Sequence, residues 1–161
     1  MLVEDHNDLP SDARVWIYQA DRIMTANEVE VVTNRLYDFC KGWLSHGAEV
    51  TSSFEIQHSL FIFIYGVEPG DGVSGCSIDS SVTVLRALES ELGIRLFGRQ
   101  TVAWELDEKL ILSPMHEFWA MRKAGKIDDN TMVFDNLVKT LAERQNKWRT
   151  AFSASWHASM W

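Results

Sequence analysis

The stretch LFIFIYGVEPGDGVSGCSIDSSV, residues 60–82, decides how this chain is read. Its opening, LFIFIY (60–65), is continuously apolar, the pattern of a strand buried on both faces. Its middle gathers Gly70, Gly72 and Gly75 around one proline and reads as a loop. Its end opens a helix, from about Ser77 or Asp79 to Leu92. The apolar face of that helix is Ile78, Val82, Leu85, Leu88 and Leu92, and Gly93 stops it.

Upstream, residues 50–58 alternate as a half-buried strand does, with a tight turn predicted at Gln57 to Ser59. Before it, Thr25 and Glu28 have the spacing of a capping box. Val29, Val32, Leu36, Phe39 and Trp43 follow at helical steps, and Gly47 is the expected end of that helix. The β-branched and aromatic run RVWIYQ (14–19) predicts a strand. Downstream, 101–106 and 109–113 predict a hairpin turning at Asp107 and Glu108. The order is β-α-β-β-α-β plus one strand, which predicts an α+β fold with a ferredoxin-like split βαβ sheet. Pro114 suits the start of a short further helix, and 132–148 reads as another, with Val133, Leu137, Val138, Leu141 and Trp148 on one side.

Three regions are expected: a loose acidic segment at 1–11, one α+β domain over 12–149, and an aromatic tail at 150–161. The tail carries Trp156 and Trp161, and exposed tryptophans are costly, so it is expected to dock on the domain or on a partner.

With 161 residues, the chain is long enough for a core without staples. Its net charge of −8 argues against nucleic-acid binding, which needs clustered Lys and Arg. No apolar run reaches the ~18 residues of a membrane span, so no insertion is expected. The N-terminus lacks the apolar region of a signal peptide, and two cysteines do not make a disulfide framework. A cytoplasmic location with reduced thiols is expected.

The 74–79 loop is the candidate site. Gly75 can adopt strained backbone angles, and Ser77 or Asp79 can cap the helix. Free amides at a helix start, with its dipole, favour an anion, which makes Ser74, Gly75, Ser77 and Ile78 the expected ligand-binding residues. Cys76 sits where a thiolate is favoured, although the Asp79 carboxylate opposes it. The bland alternative is that Ser and Asp cap helices constantly and that the cysteine is a small filler. His46, at the expected end of the first helix, is placed away from Cys76, because the two helices would run roughly parallel. His157 could be carried over the loop by a docking tail. Asp135 and Asn136 read as solvated helix face. His6, His58 and His116 lack metal-ligand spacing, so neither a metal nor a cofactor is expected.

The combination of RVWIYQ, WLSHG (43–47), FEIQHSLFIFI (54–64), SGCSIDSSV (74–82), TMVFDNLV (131–138) and SWHASMW (155–161) resembles a family of small bacterial proteins of uncharacterised function. The resemblance runs from about Asp12 to Met160. Members often carry the automatic label "ABC transporter ATPase", and the resemblance implies no catalytic residues. The chain lacks the GxxxxGK[ST] loop whose amides and lysine hold phosphates, so that label has no support in its residues.

Two classes of function follow. In the first, the protein is a binding or accessory module: the loop takes a small anionic ligand, and Trp156 and Trp161 anchor a protein partner or a second copy. In the second, it is a small thiol-dependent or phosphate-handling enzyme with Cys76 as nucleophile and Asp79 or His157 as base or orienter. The absence of a complete triad favours the first. A purely structural subunit is a third reading.

Overall fold

The computed structural model describes residues 1–67 and 75–160 and, for residues 75–77, the backbone alone. Strand β1 (Arg14–Gln19) forms where RVWIYQ predicts it. Helix α1 (Ala26–Lys41) starts on the expected capping box: the Glu28 N–H donates to Thr25 Oγ1 at 3.1 Å, and the Thr25 N–H donates to Glu28 Oε1 at 2.9 Å. It ends at Gly42 rather than Gly47, because the Gly42 N–H already closes on the carbonyls of Asp38 and Phe39. His46 and Gly47 instead turn a small hairpin, β2 (Leu44–Ser45) and β3 (Ala48–Glu49), with φ of 50° and 83°. Two left-handed residues are what a tight hairpin turn requires.

Strands β4 (Thr51–Gln57) and β5 (Phe61–Val67) follow, joined through left-handed His58 and Ser59. Helix α2 (Gly75–Leu92) starts earlier than the sequence suggests and stops at Gly93, whose φ is 63°. The predicted hairpin appears as β6 (Thr101–Leu106) and β7 (Lys109–Pro114), and α3 (Met115–Lys123) comes next.

The single helix expected over 132–148 is not formed. In its place are β8 (Met132–Phe134), a turn, α4 (Leu141–Lys147) and β9 (Arg149–Ala151). The reason is local. The Asp135 carboxylate accepts the Leu137 N–H at 3.0 Å, a side-chain turn that competes with helix, and Thr140 caps a new start by accepting the Glu143 N–H at 3.2 Å. Short 3₁₀ turns at Phe152–Ala154 and Trp156–Met160 end the described chain.

Among the described residues the fold is α+β, with antiparallel sheets ordered β1-β5-β4, β2-β3 and β7-β6-β8-β9. A single ferredoxin-like sheet would need β6 on the outer edge of β1. That edge is taken at one end by residues 139–141, where the Val15 N–H donates to Lys139 O and the Leu141 N–H to Ala13 O. Strand β6 pairs with β7 and β8 instead. The outer edge of β4 is covered by the N-terminal segment expected to be loose: the Val3 N–H donates to Ser52 O at 2.7 Å, and Leu9 is buried. An uncovered strand edge leaves unpaired donors and acceptors, so the segment has a backbone reason to stay.

Strand β5 is the centre of the core, with Phe61 to Tyr65 fully buried. Successive side chains of a strand point to opposite faces. Phe61, Phe63 and Tyr65 share one face with Glu55 and Gln57 of β4 and with Ile17 and Gln19 of β1. There Phe61 meets Phe134 at 5.0 Å and Trp148 at 4.9 Å. On the opposite face Gly66 admits the Trp43 ring, which a Cβ would meet at 3.1 Å. A second cluster (Val102, Trp104, Phe118, Ile127, Val133 and Phe152) lies between the second sheet and α3. Among the described residues, no helix is long and apolar enough to cross a membrane.

Candidate functional site

Where β6 could have joined β1, the two strands stand apart and a crevice of about 450 Å³ opens between the sheets. The cause lies in backbone alternation. The Ala20 N–H donates to Leu60 O of the β4–β5 turn, whereas the Val15 N–H turns outward to Lys139 O. Odd-numbered residues of β1 therefore face away from β5, and Ile17 and Gln19 turn their backbone groups to the crevice. A side chain makes the bridge across it: Gln19 Nε2 donates to Thr101 O at 3.1 Å.

Gln19 belongs to a short polar chain. Asn136 Nδ2 donates to Gln19 Oε1 at 3.1 Å, and Trp148 Nε1 donates to Asn136 Oδ1 at 3.0 Å. Both amides are thereby oriented. The remaining wall is largely apolar, with Tyr18, Phe97, Phe134, Leu137 and Trp156 among its residues. Burial raises the Tyr18 phenol above its ordinary value, with the Ser81 hydroxyl pulling the other way, so Tyr18 stays neutral.

The rim is the 94–99 segment, held on Glu89. Its Oε2 accepts the Leu96 N–H at 2.7 Å, and its Oε1 accepts from Arg86 at 3.0 Å. Arg86 in turn lies over the Phe97 ring at 3.9 Å. Burial alone would raise the Glu89 carboxyl, but the donated Leu96 N–H and the Arg86 guanidinium outweigh it and hold it below its usual range. Arg99, at the end of this segment, is exposed, lines the crevice and makes no ion pair with any described residue.

His157 closes the inner end. It is only 2% exposed, stacks on Trp156 at 4.1 Å, and faces the Phe118 and Phe152 rings. Ser155 Oγ donates to Phe152 O at 2.8 Å, so it can only accept from the imidazole Nδ1, 3.0 Å away. The proton therefore sits on Nδ1 and Nε2 is a bare acceptor. Burial pushes the imidazole down to about 4, which keeps it neutral at physiological pH. In this direction the pair does not activate Ser155 as a nucleophile, since the imidazole donates to the hydroxyl rather than accepting from it.

The residues expected to form the site are placed differently from one another. Gly75 is the first residue of α2, and Cys76 and Ser77 lie in its first turn, with side chains outside the described residues. Ser74 and Trp161 also lie outside them. Ile78 is half-buried. Asp79 is exposed as the fifth helical residue, beyond the capping position expected for it. No hydrogen bond joins Asp79 to His157. Trp156 packs on His157 and donates its backbone N–H to Asp135 Oδ2 at 3.1 Å. Asp135 and Asn136, expected on a solvated helix face, instead anchor this region from the loop before α4. No group of three or more His, Cys, Asp or Glu among the described residues is placed to hold a metal.

Gln19 and Arg99 were not singled out from the sequence, and Asn136 was read there as solvated helix face. Gln19 and Asn136 are 117 positions apart, and nothing local pairs them. Arg99 carried a weak signal, for no carboxylate lies within four residues on either side. No family model, curated protein or solved structure matches the chain.

Proposed function

We propose that the protein is a binding module that takes a small, flat, largely apolar anion into the crevice between its sheets. The observation that carries this reading is an apolar, aromatic-lined cavity with a cation, Arg99, at its rim that makes no ion pair among the described residues. A cavity of this size suits a small organic molecule, and a few placed polar groups on an apolar wall are the usual makeup of such sites. A guanidinium with no carboxylate partner among the described residues is suited to bind one from a ligand. On this reading β1, α1, β4 and β5 are one split βαβ unit, and the place of its fourth strand serves as the binding site. The function class is the binding module favoured by the sequence, with the site moved from the 74–79 loop to the outer edge of β1.

The test is fluorescence titration with 8-anilinonaphthalene-1-sulfonate and its uncharged relative N-phenyl-1-naphthylamine. The sulfonate should saturate at one site and bind more tightly, and Arg99→Gln should remove roughly tenfold of that preference, the size of one charge-assisted contact. Gly98→Trp should block both probes, since a side chain at Gly98 starts in open space and Gly98 lines the crevice. Unchanged sulfonate binding in both variants would sink the proposal.

A further inference from the structure

We infer that the ligand is an aromatic carboxylate carrying an N–H or O–H on its ring, and that this donor is accepted by His157 Nε2. The inference rests on the crevice being the binding site and adds the chemistry of what fills it.

Ser155 holds the His157 imidazole in one tautomer. Both Ser155 contacts fall on one side of the residue: its backbone N–H donates to Ser155 Oγ at 3.2 Å, and Nδ1 donates to the same oxygen. That oxygen has already given its own proton to Phe152 O, so the ring cannot flip to the other tautomer without losing a bond. Stacking on Trp156, at an interplanar angle of 24°, fixes the ring plane. Nε2 has no hydrogen-bond partner among the described residues, and His157 lines the crevice. An acceptor on the crevice wall with a fixed lone pair and no donor among the described residues is a poor site for a wholly apolar ring and a good one for a ring that brings a proton. Neutral imidazole adds no charge of its own, so the anionic group of the ligand is left to Arg99. The aromatic wall then selects a flat ring between these two polar ends.

The test is calorimetric titration with indole-3-acetate and benzofuran-3-acetate, which differ in the ring N–H alone. Indole-3-acetate should bind the native protein about tenfold or more tightly, because the benzofuran oxygen would face the Nε2 lone pair. His157→Phe keeps a ring against Trp156 and should abolish the difference between the two acids. Nitrogen NMR of His157 should show Nδ1 protonated and the Nε2 resonance moving on addition of indole-3-acetate. Equal affinity for the two acids, no binding of either beside saturable sulfonate binding, or a preference that survives His157→Phe would each overturn the inference and leave the crevice reading standing. Loss of sulfonate and acid binding together would overturn both. If His157→Phe does not fold, the two acids on the native chain still decide the matter.

Discussion

Arg144 donates to one oxygen of Glu55 through both Nε and Nη2, at 3.0 and 2.9 Å, while its guanidinium lies 4.4 Å from the ring centroids of Phe63 and Trp148. The same Glu55 oxygen accepts the Tyr65 hydroxyl at 2.6 Å, and Gln57 donates to the other oxygen at 2.9 Å. His6 stacks on Tyr65 at 5.0 Å, with its Nε2 3.5 Å from Glu55. One carboxylate thus ties the N-terminal segment, β4, β5 and α4 together. Burial, and then Glu55 itself, push the Tyr65 phenol upward, so it remains a donor throughout the physiological range.

Removing one member of this group should be worse than removing two. The Glu55 and Arg144 side chains are 10% and 16% exposed, so Glu55→Leu strands a largely buried cation. Loss of one partner from such a pair costs about 3 kcal/mol, whereas an apolar replacement of both is often near neutral. Urea denaturation should therefore show Glu55→Leu with Arg144→Met more stable than Glu55→Leu alone. Strictly additive losses would contradict the coupling.

Cys40 should be almost inert in the folded protein. It is a free, fully buried thiol on α1, and burial pushes it up to about 11 despite the opposing Ser52 hydroxyl. Thiolate is the reactive form, so both access and ionisation work against alkylation. In a Cys76→Ser background, iodoacetamide at pH 8 should modify native Cys40 at least about a hundredfold more slowly than the urea-unfolded chain. Equal rates would mean that α1 opens freely.

The local parts of this fold are readable from the chain, and the long-range parts are not. The Thr25 capping box, the RVWIYQ strand and the doubly buried β5 each depend on residues a few positions apart, and each is found. Residues 132–148 fail because apolar spacing there suits a helix, while the Asp135 turn and the pairing of Val133 with Trp104 favour a strand and a break. The placement of β6 away from β1 goes with residues 139–141 occupying one end of that edge, a long-range pairing that no local pattern records. The crevice inherits that difficulty, since Gln19, Arg99, Asn136 and His157 come from four separate segments. His157 was legible as a candidate, but its neutral, donor-seeking state depends on Ser155 and on the rings of Phe118 and Phe152.

The buried imidazole should make stability fall on acidification. In the unfolded chain His157 titrates near the ordinary ~6.5, but in the native state only near about 4. Between these values the unfolded chain binds a proton that the native state refuses. The contribution is therefore complete above about pH 6.5, is lost as the pH falls toward about 4, and changes no further below that; it amounts to roughly 3 kcal/mol. His157→Gln should start from a lower stability at pH 7 and show a flatter decline of Tm from pH 6.5 to 4. Parallel declines in the two proteins would show that the imidazole is not protected from protonation.

The β6–β7 turn should be improvable. Leu106 pairs with Lys109, so Asp107 and Glu108 form a two-residue loop, with φ of 50° and 65°. Both conformations are left-handed, and a residue with a Cβ pays for that, glutamate more than aspartate, whose short side chain can bond locally. Asparagine followed by glycine is the pair best suited to such a turn. Asp107→Asn with Glu108→Gly should relieve about 1 kcal/mol, less the extra backbone freedom that glycine gives the unfolded chain. For a domain of this size the net gain should raise Tm by about 2 °C. Neither Asp107 nor Glu108 is among the residues that line the crevice, so sulfonate binding should be unchanged. A lower Tm for the double variant would mean that the two native side chains make stabilising contacts outweighing their backbone strain.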